Sequence, residues 1–250
     1  MNDPILEPIS IGKLTLKNRI YLPAMHLNMA EDYLVTDQLV NFYAERAKGG
    51  AAMVVVGFAT VDKLSGGSTN IGAHLDEHIP GLTRLASAIK DNGSLSAVQI
   101  NHGGKNSFSF MIGESAVAPS AIQARMTRET PRALEHDEIL QIIHYFADAA
   151  GRVQQAGFDA VEVLAGTGYL ISSFLSPLTN IRTDEWGGSF ENRMKFGLEV
   201  IRAIKAKTGA DYPLIVRMNG NDLMPGGVGR DELKRFAREL TDLGDRKSTR

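Results

Sequence analysis

The chain contains no cysteine, which excludes structural disulfides, thiolate metal sites and cysteine nucleophiles within these residues. It also lacks an excess of charge of either sign: 27 Lys and Arg stand against 29 Asp and Glu. That balance removes the basic surplus of a nucleic-acid binder, so no nucleic-acid partner is expected. No apolar run approaches the roughly 18 residues that a membrane span needs. Met1 to Pro8 carry Asp3 and Glu7 and no apolar h-region, so no signal peptide is read. The expectation is a cytoplasmic protein acting on a small molecule, with no membrane partner and its oligomeric state open. His74 and His78 have no third ligand at metal spacing, so no metal is expected and both read as solvated surface.

What is present is a core. Of the 250 residues 43% are hydrophobic, enough for one large domain. Apolar runs alternate with helical patterns. Strands are predicted at Arg19 to Ala24, Ala51 to Val56, Ser96 to Asn101, Ala160 to Leu164 and Leu214 to Met218. Helices are predicted at Asp37 to Lys48, Pro80 to Lys90, Asp137 to Gln155, Asn192 to Lys207 and Asp231 to Leu243. Thr36 is a fitting cap for the first helix, and Gly49-Gly50 ends it. The continuous run Ala51 to Val56 reads as a strand covered on both faces, as in a parallel sheet.

Strict alternation predicts an α/β fold. No Gly-x-Gly-x-x-Gly follows the first strand, where a dinucleotide fold would place it. Polar residues sit instead near the ends of several strands: Gln99, Asn101, Arg217 and Asn219. Closed barrels assemble their sites there, so a (β/α)8 TIM barrel is favoured over an open sheet. Only five strand–helix units fit. Residues 1–243 are therefore expected to be the N-terminal part of a truncated barrel, with 244–250 a polar tail that is not native to it.

Three segments carry a resemblance. The first is Leu14-Thr15-Leu16-Lys17-Asn18-Arg19 with Pro23-Ala24-Met25-His26. The second is Gln99-Ile100-Asn101-His102-Gly103-Gly104-Lys105 with Ala118-Pro119-Ser120-Ala121. The third is Gly168-Tyr169-Leu170, then Phe174 to Asn180, then Arg182-Thr183-Asp184-Glu185-Trp186-Gly187-Gly188-Ser189 and Glu191-Asn192-Arg193. Together they resemble the old yellow enzyme superfamily of NADH:flavin oxidoreductases, over about residues 5 to 243. Met25-His26 and Val117 to Ala124 look closest to its 2,4-dienoyl-CoA reductase and 2-enoate reductase branch.

The resemblance implies FMN as cofactor, NAD(P)H as reductant and an activated C=C bond as substrate. It implies that Arg217 faces the flavin pyrimidine edge as a fixed cation, and that Gln99 hydrogen-bonds that edge. Pro23, Ala24, Met25 and Gly57, the last taken as ending the second strand, would line the ring. Tyr169 would deliver a proton to the α-carbon, its own proton restored through a hydrogen-bond chain. His26, His102 and Thr167 are candidates for the substrate side. Many members carry a His-x-x-His or His-x-x-Asn pair where this chain has Leu164 and Thr167, which puts carbonyl binding by that pair in doubt. The branch also has an iron–sulfur cluster and an FAD region. Without cysteine these belong only to missing downstream regions. Arg182 to Glu185 read as a structural clamp rather than an acid. Weak or absent FMN binding by these 250 residues, with exposed apolar strand edges, is expected.

Other readings stay open: a small-enone reductase or amine dehydrogenase, a barrel without flavin, or an inactive fragment.

Overall fold

The computed structural model describes residues 3–243; the tail expected at 244–250 lies outside them. The chain opens with a hairpin, β1 (Ile9–Ile11) and β2 (Leu14–Leu16), followed by β3 (Tyr21–Leu22) and helix α1 (Asp37–Lys48). Then come β4 (Met53–Thr60), β5 (Ile71–Gly72), α2 (Ile79–Asp91), β6 (Leu95–Asn101) and the short α3 (Ser109–Ile112). β7 (Val117–Ala118) and β8 (Arg132–Ala133) form a small side sheet before α4 (His136–Gln155) and β9 (Ala160–Ala165). α5 (Leu170–Leu175), α6 (Phe190–Thr208), β10 (Leu214–Met218) and α7 (Arg230–Asp242) complete the described chain.

The main sheet runs β10-β9-β6-β4-β3 with every pairing parallel, and helices α1, α2, α4 and α6 lie between its strands in the chain. Its two edges approach each other. Tyr21 on β3 donates to Glu162 on β9, and Arg217 on β10 reaches the Ala24 carbonyl just beyond β3 at 3.4 Å. A sheet whose first and last strands meet across one face is curled. This is the fold of part of a (β/α)8 barrel, as expected.

The curl gives the sheet two chemically different faces, because side chains alternate along each strand. Val54, Val56, Val98, Ile100, Val161 and Val163 are fully buried against the apolar faces of the helices, with Leu39, Leu82, Leu85, Ile89, Ile139, Phe146 and Ile201 in the same core. Each such aliphatic side chain contributes about 1.5–3 kcal/mol when removed from water. The concave face is narrower and takes Met53, Val55, Ala97 and Ala160. Leu16 and the half-buried Ile9, Ile11 and Leu14 of the hairpin pack on these residues and plug the N-terminal end of the barrel.

Helix α1 begins where its cap dictates: Thr36 Oγ1 accepts the Leu39 N–H. The first expected strand is cut to two residues, since Pro23 has no N–H for the ladder. The second runs past its expected end at Val56 to Thr60, with a β-bulge between Val56 and Ala59. The segment 180–189 is a clamp: Arg182 donates to the carbonyls of Pro119 (3.0 Å) and Leu134 (2.6 Å) and pairs with Asp184. Asn180 Nδ2 donates to the carbonyls of Phe174 and Trp186, both at 2.8 Å. No helix among the described residues is long and apolar enough to cross a membrane.

Candidate active site

The site is built on the concave face at the C-terminal ends of the strands. Gln99 pairs in register with Glu162, Glu162 with Ile215, and Leu164 with Arg217. Register partners in a parallel sheet point the same way, so Gln99, Glu162 and Arg217 share the concave face, with Arg217 one layer nearer the mouth. Gln99 Nε2 donates to Glu162 Oε1 at 2.6 Å, and Tyr21 Oη donates to Glu162 Oε2. Gln99 and Glu162 are buried, while Arg217 is exposed. Burial and the Glu162 carboxylate raise the Tyr21 pKa, and the positive charge of Arg217 opposes that rise. The four side chains form one polar cluster.

Pro23, Ala24 and Met25 run along the far edge of the cluster. The chain stays beside β4 beyond Pro23 through a bridge between His26 and Gly57. Gly57 does not end the strand. It sits in the bulge, where a Cβ would stand 2.4 Å from Ala24 Cβ and 2.9 Å from Ala24 Cα. Its missing side chain is required by the close approach of the Ala24 backbone. The Gly57 N–H donates to the buried Tyr43 hydroxyl at 3.2 Å. The bulge presents Phe58 between two expected site residues: its ring centroid lies 5.2 Å from that of His26 and 6.0 Å from that of Tyr169.

Tyr169 follows a tight turn at the end of β9. Thr167 takes φ +56° and Gly168 φ +80°. A β-branched residue in this region is strained. Asn219, just past β10, holds the turn by accepting the Thr167 N–H at 3.0 Å. A Cβ on Gly166 would stand 2.8 Å from Asn219 Oδ1. The half-buried Tyr169 then leads into α5 with its hydroxyl free of protein partners among the described residues, and burial raises its pKa. His26 is exposed, and burial of part of its ring lowers its pKa. Leu164 lies on the concave face as Arg217's register partner; Thr167 is exposed at the turn.

His102 is placed differently from the expectation. It is completely buried, with Nδ1 accepting the Gly104 N–H at 3.0 Å and Nε2 3.3 Å from Asp62 Oδ2. Buried between the loops after β4 and β6, with Nε2 left without a hydrogen-bond partner among the described residues, it offers no exposed edge to a substrate. His74 and His78 are also not solvated surface. Their rings stand 4.5 Å apart, His78 is 3% exposed, and His74 Nδ1 is 2.9 Å from Thr60 Oγ1. Among the described residues no group of three or more His, Cys, Asp or Glu is arranged to hold a metal.

Reasoning from sequence missed Glu162, Tyr21 and Phe58. Glu162 had left a signal: it is the one charged residue in Ala160 to Leu164, a run otherwise apolar and wholly buried.

The donor set fits a flat ring with a polar edge. Arg217 keeps its guanidinium open apart from one long contact. Asn101, on the face of β6 that carries Gln99, has a buried Nδ2 with no partner among the described residues. Small Ala24 leaves room beside Arg217. A guanidinium and amide donors suit carbonyl and imide groups, and burial of one side suits an aromatic plane.

The chain is similar to known proteins along nearly its whole length. It is 45% identical to a metal reductase of Desulforamulus reducens, covering 96% of this chain and 36% of that protein. It superposes with a TM-score of 0.93 and 35% identity on the structure of a 2-naphthoyl-CoA reductase in complex with 2-naphthoyl-CoA, covering 96% of this chain and 39% of that one. Against an old yellow enzyme homologue from Zymomonas mobilis the TM-score is 0.90 at 29% identity, covering 98% and 72%. The chain thus spans little more than a third of the first two. The model of the NADH:flavin oxidoreductase / NADH oxidase family matches residues 4–249, and, with a concave face that offers a guanidinium and an amide at the strand ends, the chain belongs to that family.

Proposed function

We propose that this chain carries the ring-facing part of an FMN-dependent reductase that passes hydride from NAD(P)H to the activated C=C bond of an acidic substrate, an enoyl-CoA or a 2-enoate. The observation that carries the reading is the convergence of Gln99 and Arg217 on one concave face, beside the Ala24 backbone. When bound, FMN supplies the hydride-carrying ring.

Arg217 would hold a permanent positive charge at the ring edge where negative charge gathers on reduction. Gln99, and Asn101 through its unpartnered Nδ2, would hydrogen-bond the same edge. Pro23, Ala24 and Met25 would line the ring. Gly57 serves them by admitting the Ala24 backbone rather than by touching the ring. Tyr169 would protonate the α-carbon while hydride reaches the β-carbon, and solvent would return a proton to the phenolate. Burial raises the pKa of the phenol and keeps it protonated, so it gives up its proton only to a stronger base such as the developing α-carbanion. Phe58 stands edge-on to Tyr169 and fixes its ring. His26, on the other side of Phe58, and Thr167 face the space left for substrate.

The acidic class is favoured by Lys105 and Arg125 at the mouth. The loop of Lys105 is tied to the Tyr169 turn by Asn106 Nδ2 donating to the Gly168 carbonyl at 3.2 Å, and to the Arg125 loop by Thr127 Oγ1 donating to the Lys105 carbonyl. Burial and then the Arg125 charge lower the Lys105 pKa, against the opposing pull of the Asp222 carboxylate, so an incoming anion would add to the carboxylate that already faces this pair of cations. The 2-naphthoyl-CoA reductase is a solved relative with a substrate of this class.

Titrating the protein with FMN tests the reading. Weak but saturable binding is expected, lowered about 10- to 100-fold further by Arg217→Met, the loss of one charge-assisted hydrogen bond. Equal binding by the variant contradicts it.

A further inference from the structure

Glu162 is a costly residue to place where it stands. It is 1% exposed in the middle of a strand whose every residue is buried. A carboxylate taken out of water loses several kcal/mol of hydration unless donors replace the water. An aliphatic residue would have filled this barrel layer without that cost. The carboxylate is met by two neutral donors, Gln99 Nε2–H at 2.6 Å and the Tyr21 hydroxyl. Each uses a different oxygen, so both ends of the carboxylate are committed.

The consequence falls on Gln99. An amide beside a carboxylate has only one acceptable orientation, since the reverse flip would set oxygen against oxygen. Nε2 therefore faces Glu162, and Oε1 faces away from β9. Oε1 accepts no hydrogen bond among the described residues and is not among the buried atoms left without a partner, so it keeps access to the open side of the concave face. Gln99 thus presents an acceptor to whatever lies above it, while the guanidinium of Arg217 presents donors one layer higher.

We infer that Glu162 is a positioning residue that locks the Gln99 amide with its oxygen toward the ligand, so that the site selects a ring bearing an N–H at its polar edge. This rests on the flavin reading above and adds to it a reason for selectivity within the ring edge. Tyr21 serves the lock by occupying the second carboxylate oxygen and tying β3 to β9.

Two measurements test the lock. The first needs no variant and no flavin: nitrogen-15 spectra of the protein. A locked amide gives Gln99 one strongly displaced, slowly exchanging Nε2 proton. An ordinary, rapidly exchanging Gln99 amide overturns the proposal. The second compares FMN with FMN methylated at its ring imide nitrogen. The native protein is expected to bind the methylated ring about tenfold more weakly, the loss of one hydrogen bond. In Glu162→Gln, whose side chain can donate to Gln99 Oε1 and so permit the flip, the two ligands are expected to bind within about threefold of each other. Retained tenfold discrimination in a folded Glu162→Gln protein overturns the proposal, because a merely structural role for Glu162 would lower both affinities together. Failure of the flavin reading itself would show as no saturable FMN binding at all, to which the Gln99 amide signal is indifferent.

Discussion

Gly57→Ala tests whether the site depends on the close approach of two strands. A Cβ at this position stands 2.4 Å from Ala24 Cβ, 2.9 Å from Ala24 Cα and 3.0 Å from the Met25 nitrogen. Carbon atoms in contact sit about 3.5–4.0 Å apart, so the Ala24 segment must retreat by about 1 Å or more. Two of the three obstructing atoms are backbone, which no rotamer change can relieve. Overpacking of this kind costs about 1–3 kcal/mol, or a fall in Tm of about 2–4 °C per kcal/mol for a chain of this size. The retreat also pulls the Ala24 carbonyl from Arg217, whose contact is already long at 3.4 Å. A misplacement of about 1 Å in a site costs on the order of 100-fold in rate, so function should suffer more than stability. The matched control is Gly220→Ala, whose Cβ would meet nothing within 4 Å. Denaturant titration and FMN affinity, measured on both variants, should separate them. If Gly57→Ala were as stable as Gly220→Ala and bound FMN like the native protein, the reasoning about this contact would be refuted.

Tyr169→Phe should slow reoxidation of the reduced enzyme by an activated alkene about 10²- to 10⁴-fold, the usual contribution of a positioned acid; reduction by NAD(P)H, followed by stopped flow, should be unchanged. Lys105→Gln should raise KM for an acidic substrate and leave KM for a neutral enone alone, as read by steady-state kinetics with both. Burial and the neighbouring His78 lower the pKa of His74 to about 4 from an ordinary 6.5. Its folded form therefore binds fewer protons than its unfolded form, so its stability contribution is full above pH 6.5, falls as the pH drops and levels off below about 4. Urea titrations at pH 7.5 and 4.5 should show a smaller acid loss in His74→Gln than in the native protein.

The elements were legible where local chemistry decides them. Helix α1 begins at its Thr36 cap, and β10 spans Leu214–Met218 as the apolar run indicates. What escaped was set by contacts distant in sequence. The hairpin of Ile9–Ile11 and Leu14–Leu16 is too short to show periodicity, and only the concave face it plugs gives it a reason. Gly57 reads as a strand end because glycine usually interrupts strands, whereas here it admits Ala24, 33 positions earlier in the chain. His78 looked solvated among Asp76 and Glu77. It is buried because its ring fills the space beside Gly72, where a Cβ would stand 2.3 Å from it. At the site, Gln99 and Tyr169 stand in quoted motifs, and Arg217 stands out as the cation at the end of an apolar strand. Glu162 and Tyr21, which belong to no motif quoted, emerged only from the register that sets them opposite Gln99 and Met53.

The central claim is that Gln99 and Arg217 address one ring. The direct measurement is a crystal structure of the protein soaked with FMN. The account predicts the polar edge of the isoalloxazine within about 3 Å of both the Arg217 guanidinium and the Gln99 amide, with the ring beside Ala24. A flavin seated elsewhere on the molecule, or touching one of the two groups and not the other, would contradict it.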